Sequence, residues 1–104
     1  MSYFLCVLVH GPGWDDKRPI REQAGWAEHA DFMDQLVDDG FIVVGGPIGA
    51  GDTTAHLIAA DDERSVRARL AEDPWAEDGH LTVGSVRPWA LWLDGRPAGR
   101  RRPG

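Results

Sequence analysis

The sequence predicts an α+β sandwich of the ferredoxin-like β-α-β-β-α-β order, a four-stranded antiparallel sheet with two helices on one face. Three observations predict it. The chain opens on a run that is apolar on both faces, residues 3–9. A stretch of helical periodicity follows over about residues 23–38, and the remaining apolar runs alternate strand, strand, helix, strand without internal repeats. At 104 residues the chain is one domain, long enough for a two-layer core.

In the first strand Tyr3, Leu5, Val7 and Val9 point one way and Phe4, Cys6 and Leu8 the other, as a central strand with two covers requires. Gly11-Pro12-Gly13 ends it, and a polar loop runs to about Arg21, in which Trp14 folds over a pocket. The first helix spans about Gln23 to Asp38. Its apolar stripe is Trp26, His29, Ala30, Met33, Leu36 and Val37, with Glu28, Asp31, Asp34, Gln35 and Asp38 opposite, and Gly40 supplies a left-handed C-cap. Phe41 to Val44 is the second strand, Gly45 to Asp52 a flexible loop or hairpin end, and Thr53 to Ala60 the third strand. Asp61 or Asp62 caps a short helix running to Glu72, with Val66 and Leu70 inward and Arg64, Arg67 and Arg69 solvated. Pro74 ends that helix, Leu81 to Arg87 forms the fourth strand, and Trp89 to Leu93 is a candidate fifth. The doubly apolar first strand, with Trp89, Leu91 and Trp92, calls for cover on the second sheet face. Two-fold pairing with another copy would provide it, so a homodimer is expected.

Composition narrows the function. The domain is assigned to residues 1–95, followed by a flexible arginine-rich tail at 96–104 that has almost nothing apolar to bury. Residues 1–95 hold 17 acidic and 7 basic side chains, a formal charge of −10 that repels phosphates, so no nucleic acid partner is expected. Cys6 is the single cysteine, which excludes an internal disulfide and a thiolate metal cluster; a buried structural thiol is its expected role. The first apolar run is too short to cross a membrane and has no export-signal pattern, so a cytoplasmic protein with no membrane partner is expected.

His29 is the leading candidate for chemistry, because an imidazole on the inward face of a helix titrates near neutrality and can exchange protons. Its structural alternative is to fill a helix position and bond a backbone carbonyl. Asp73, before Pro74 and Trp75, is the second candidate; its own alternative is an Asx-type turn onto the amides beyond Pro74, which is compatible with orienting an imidazole. His10 is placed at the cleft rim, while His56 and His80 read as surface or interface residues. Trp14, Trp26 and Trp75 can wall a planar ligand or fill the core. Gly46, in the glycine-rich turn, is expected beside the cleft, where backbone amides can hold an oxyanion; the turn has no nucleotide-binding ending. Ser85 is a candidate substrate contact without an activating triad. No HxH, HExxH or paired-cysteine spacing is present, so no metal and no cofactor are expected, a site built from His10, His29 and Asp73 being the residual alternative.

These features resemble the YciI-like (YCII-related) family, which is similar in fold to muconolactone isomerase and other dimeric α+β barrel proteins. The resemblance rests on His29 before the helix ending Leu36-Val37-Asp38-Asp39-Gly40, on Val43-Val44-Gly45-Gly46-Pro47, on Asp73-Pro74-Trp75 with Gly79 beyond, and on Val83-Gly84-Ser85-Val86-Arg87-Pro88-Trp89. It covers most of residues 3–93. It implies sheets paired in a dimeric α+β barrel, and a His and Asp pair in a cleft between helix and sheet, here His29 and Asp73. One activity known in the family is removal of chloride from a chlorinated hydroxyhydroquinone. Trp75, where one relative has a smaller aromatic, and the arginine-rich end are departures of this chain.

Two functions are therefore expected in competition. The first is a small cofactor-independent enzyme in which His29 transfers a proton and Asp73 orients it, of lyase, isomerase or dehydrochlorinase type, acting on a small cyclic or enolisable metabolite. The second is a non-catalytic dimeric module that binds a small molecule or assists another protein.

Overall fold

The computed structural model describes residues 1–97, so the expected tail lies outside the described residues from residue 98 onward. The strands are β1 (Ser2–His10), β2 (Ile42–Ile48), β3 (Thr53–Ala60) and β4 (Leu81–Pro88). The helices are α1 (Trp26–Asp38), α2 (Glu63–Leu70) and α3 (Pro74–Glu77), with a 3-10 turn at Ile20–Glu22. One four-stranded antiparallel sheet has the order β2-β3-β1-β4, which is the ferredoxin-like arrangement with the first and third strands central.

The alternation in β1 decides which face is the core. Phe4, Cys6 and Leu8 are buried beneath the helices, while Tyr3, Leu5, Val7 and Val9 on the opposite face are half-buried. On the helix side they join Ile42, Ile58, Val86, Leu36, Val66, Leu70 and Trp75 in one core. Burial drives the Cys6 thiol up to about 11, so it is neutral and inert, the structural thiol expected from its setting. β4 carries a bulge: the register with β1 shifts between Val7 and Leu8, which leaves Gly84 as the extra residue between Val83 and Ser85.

The barrel expectation is corrected. The sheet is open, with β2 and β4 at its two edges and no pairing between them. Closure needs more strands than four, each tilted and staggered around an axis, and the face that a closed barrel would enclose is left uncovered in this chain.

Four smaller expectations also change. α1 begins at Trp26, three residues later than the periodicity suggested, because Gly25 adopts a left-handed conformation that a continuing helix does not. Val37 is 54% exposed, whereas Phe32 packs against the core in its place, so the inward stripe is rotated about the helix axis. β2 continues through Gly45-Gly46-Pro47 to Ile48, where a loop was expected. Proline lacks the N–H that a central strand would use, but β2 is an edge strand and tolerates it. Trp89 to Leu93 is not a strand, although the Trp89 N–H still donates to the Tyr3 carbonyl at 2.9 Å.

Candidate functional site: a buried histidine and aspartate beside a cavity

Two helix starts build the centre of the site. α2 ends at Leu70, and Asp73 then caps the short helix α3, whose first residue is Pro74. The Asp73 carboxylate accepts the Trp75 N–H at 2.9 Å, the Asx-type turn anticipated from the Asp-Pro-Trp step. The same carboxylate accepts from His29 Nδ1, at 2.8 Å to Oδ2 and 3.0 Å to Oδ1. Both residues are buried, His29 at 6% and Asp73 at 3% exposure, so bulk water does not compete for this bond.

Trp75 fixes the ring from the side. Its indole stacks on His29 at 4.0 Å and 9°, and its Nε1–H donates to the Ala24 carbonyl at 2.8 Å. Gly25 makes this approach possible, since a Cβ there would lie 3.1 Å from Trp75 Nε1 and its φ is +80°. On the other indole face lies His80, at 5.2 Å and 15°, whose Nδ1–H donates to Asp78 at 2.7 Å. Burial raises the Asp78 carboxyl, but the hydrogen bonds from the His80 ring and backbone outweigh it and hold the group below the usual carboxylate range.

His29 lines an inner cavity of about 70 Å³, shared with His10, Trp14, Thr54, His56 and Asp52. It adjoins an outer recess of about 470 Å³ bounded by Trp14, Pro19, Ile20, Pro47 and Asp52. Trp14 roofs the junction and stacks on His10 at 3.8 Å and 9°. The loop that carries Trp14 is held by Gln23, which is buried: its amide donates to the Asp15 and Arg18 carbonyls, and its oxygen accepts the Asp15 N–H at 3.0 Å. Among the described residues, no three His, Cys, Asp or Glu side chains converge as a metal site requires.

A carboxylate-anchored imidazole between helix and sheet, reached through the order β1, α1, β2, β3, α2, β4, is the arrangement that the resemblance implied. The YCII-related domain matches residues 4–90. The chain belongs to that family. No curated protein gives a significant match to it.

Within this YCII-related domain the expected site residues separate into three groups. His29, His10 and Trp14 line the cavity. Asp73, Trp26 and Trp75 stand behind or beside His29: Asp73 bonds it, and Trp26 tilts against it at 5.9 Å. Gly46 and Ser85 lie on the uncovered face of the sheet, since Gly46 pairs with Ala55, Ala55 with Val7, and Val7 with Ser85. Extension of β2 through Gly45 places Gly46 opposite Ala55 in the ladder, on the face away from the cleft.

His56 and His80 differ from their expected surface positions, each being 8% exposed. His56 shares a strand face with Ile58, which is fully buried, and that is the face the helices cover. His80 is covered because Gly11 and Gly13 bring the β1 loop against it, the Gly11 N–H donating to its carbonyl at 2.9 Å.

Proposed function

We propose that this domain is a small enzyme that needs no cofactor and moves a proton on a small cyclic or enolisable metabolite, in a reaction of lyase, isomerase or dehydrochlorinase type. The observation that carries this reading is the buried His29–Asp73 bond at 2.8 Å, made by a histidine that also lines a cavity. With Nδ1–H committed to Asp73, Nε2 of neutral His29 holds the lone pair, so it takes a proton from a carbon or hydroxyl of the substrate. Asp73 then faces an imidazolium and stabilises it. The proton returns from Nε2 to another substrate atom in an isomerisation. In an elimination the C–H electrons form the double bond, the leaving group departs with its own pair, and His29 later releases the proton to water. Asp73 does not line the inner cavity, so it is a positioning residue and His29 the catalytic one.

The outer recess, walled by Trp14, Pro19 and Ile20, is of the size that a single ring requires. A second copy of the chain belongs to the same proposal, because Trp89, Trp92 and Leu93 are exposed and apolar.

Turnover of chlorinated hydroxyquinols and of lactones tests the reading. His29→Ala is expected to lower kcat by about 10²–10⁴-fold, and Asp73→Asn by about 10–100-fold, with both variants folded by circular dichroism. Turnover unchanged in His29→Ala would exclude the role.

A further inference from the structure

His29 does not border the space that is wide enough for a ring. The inner cavity of about 70 Å³ is lined by His29, Met33 and His56, and none of these borders the outer recess of about 470 Å³. A dry cavity that holds one benzene ring measures about 150 Å³, roughly twice the inner volume. A substituent enters the inner cavity; a six-membered ring does not.

The two spaces share His10, Trp14, Ile20, Gly51, Asp52 and Thr54, so these residues form the neck between them. Trp14 has the largest side chain among them. Its indole lies flat on His10 at 3.8 Å and meets Trp75 and His80 at its edges, at 5.7 and 6.4 Å.

The chain that carries this ring is held on both flanks. Before it, the Gly11 N–H donates to the His80 carbonyl and the Gly13 N–H to the Gly79 carbonyl, both at 2.9 Å. The crossing is so close that a Cβ at Gly11 would stand 2.2 Å from the Gly79 oxygen, and one at Gly13 would stand 2.9 Å from the Asp78 oxygen. Only glycine allows that approach. After it, the buried Gln23 amide donates to the Asp15 carbonyl at 2.7 Å and to the Arg18 carbonyl at 2.8 Å. A flap that opens freely has few packed contacts and exposed backbone bonds, whereas Trp14 is packed on its faces and edges and bonded on either side. It is a wall.

We propose that Trp14 is a specificity-determining residue, a fixed partition that lets a substituent pass from the recess to the cavity of His29 and holds a ring back. The partition stands on geometry alone, but what it selects for rests on the enzyme reading. If His29 moves the proton, the group it meets is a small acyclic compound or a side group on a ring whose body stays in the recess, and never an atom on the far side of that ring.

Acetone and cyclohexanone are the probes, two neutral enolisable ketones, one acyclic and one a six-membered ring. The intact protein is labelled with ¹³C at the methionine and alanine methyl groups, and contact is read as a nuclear Overhauser effect from the probe. Met33 lines the inner cavity alone and Ala50 the recess alone, while Met1, 71% exposed, is the solvent control. In the wild type, acetone is expected to reach Met33, and cyclohexanone is expected to reach Ala50 without reaching Met33. Trp14→Ala joins the two spaces, and cyclohexanone is then expected to reach Met33 as well. Where that variant does not fold, Trp14→Leu carries the same expectation.

Cyclohexanone in contact with Met33 in the wild type overturns the partition, because the wall then opens as a flap. A folded Trp14 variant that still excludes cyclohexanone overturns the role of Trp14. Acetone that never reaches Met33, or cyclohexanone that never reaches Ala50, overturns the use of these spaces as binding sites. The contacts as expected, with turnover unchanged in His29→Ala, remove the mechanism and keep the partition. Turnover lost in that variant, with cyclohexanone already at Met33 in the wild type, keeps the mechanism and removes the partition.

Discussion

A single histidine can report on how its surroundings treat charge, and His56 does so through stability. Burial lowers its titration below 6.5, the value it keeps in the unfolded chain. Below that pH the unfolded chain takes up the proton first, so the unfolded state gains and the folded state loses ground. The contribution of His56 is thus fully present above pH 6.5 and is lost as pH falls through the depressed folded value. Urea midpoints measured on either side of that pH are expected to drop on the acid side, and His56→Gln is expected to flatten part of that slope. An unchanged slope in the variant would mean that the ring is not held neutral by burial. His29 was legible in the sequence because a helix stripe is read over many residues at once. His56 was not, because β3 is apolar on both faces, and alternation within such a strand does not say which face the helices cover until Ile58 is seen to be fully buried.

At the scale of an element, local chemistry was legible where it is complete within a few residues. The end of α1 is an example: the Phe41 N–H donates to the Leu36 carbonyl at 2.9 Å and the Gly40 N–H to the Val37 carbonyl at 3.0 Å, which together close the helix in a Schellman motif. Gly40 has φ +78°, a conformation that costs any residue with a Cβ about 1–2 kcal/mol. Gly40→Ala is therefore expected to destabilise the domain by about that amount in chemical denaturation, with the cavity intact. A neutral result would show that the turn relaxes into a right-handed form. Asp62 as the cap of α2 was legible for the same reason, its carboxylate accepting the Ser65 N–H at 2.7 Å. β2 was not, since Gly45, Gly46 and Pro47 have turn propensity and only the hydrogen bonds offered by β3 hold them extended. Nor was α3, because a proline that stops one helix serves equally as the first residue of the next.

At the scale of the whole molecule, the order of elements determined the topology, because short right-handed connections leave few arrangements for one strand, helix, two strands, helix and strand. The second face of the sheet was the harder matter. Apolar residues on both sides of β1 show that cover is favourable without showing what supplies it, and β1 keeps Leu5, Val7 and Val9 half-buried with no second layer over them. The exposed apolar side chains are more telling, for Trp92 and Leu93 are 91% and 96% exposed in a segment that makes no strand. Side chains of that size in water favour association, and a second copy is the partner the enzyme proposal takes. Sedimentation of the wild type is then expected to show a dimer whose thermal midpoint rises with protein concentration, as mass action requires. Trp92→Ser combined with Leu93→Ser is expected to shift the population toward single chains and to remove that concentration dependence. Neither residue belongs to the core, so the far-ultraviolet spectrum is expected to stay the same. A wild type that sediments as a single chain at every concentration would exclude the dimer, and the His29–Asp73 bond, which is made within one chain, would stand.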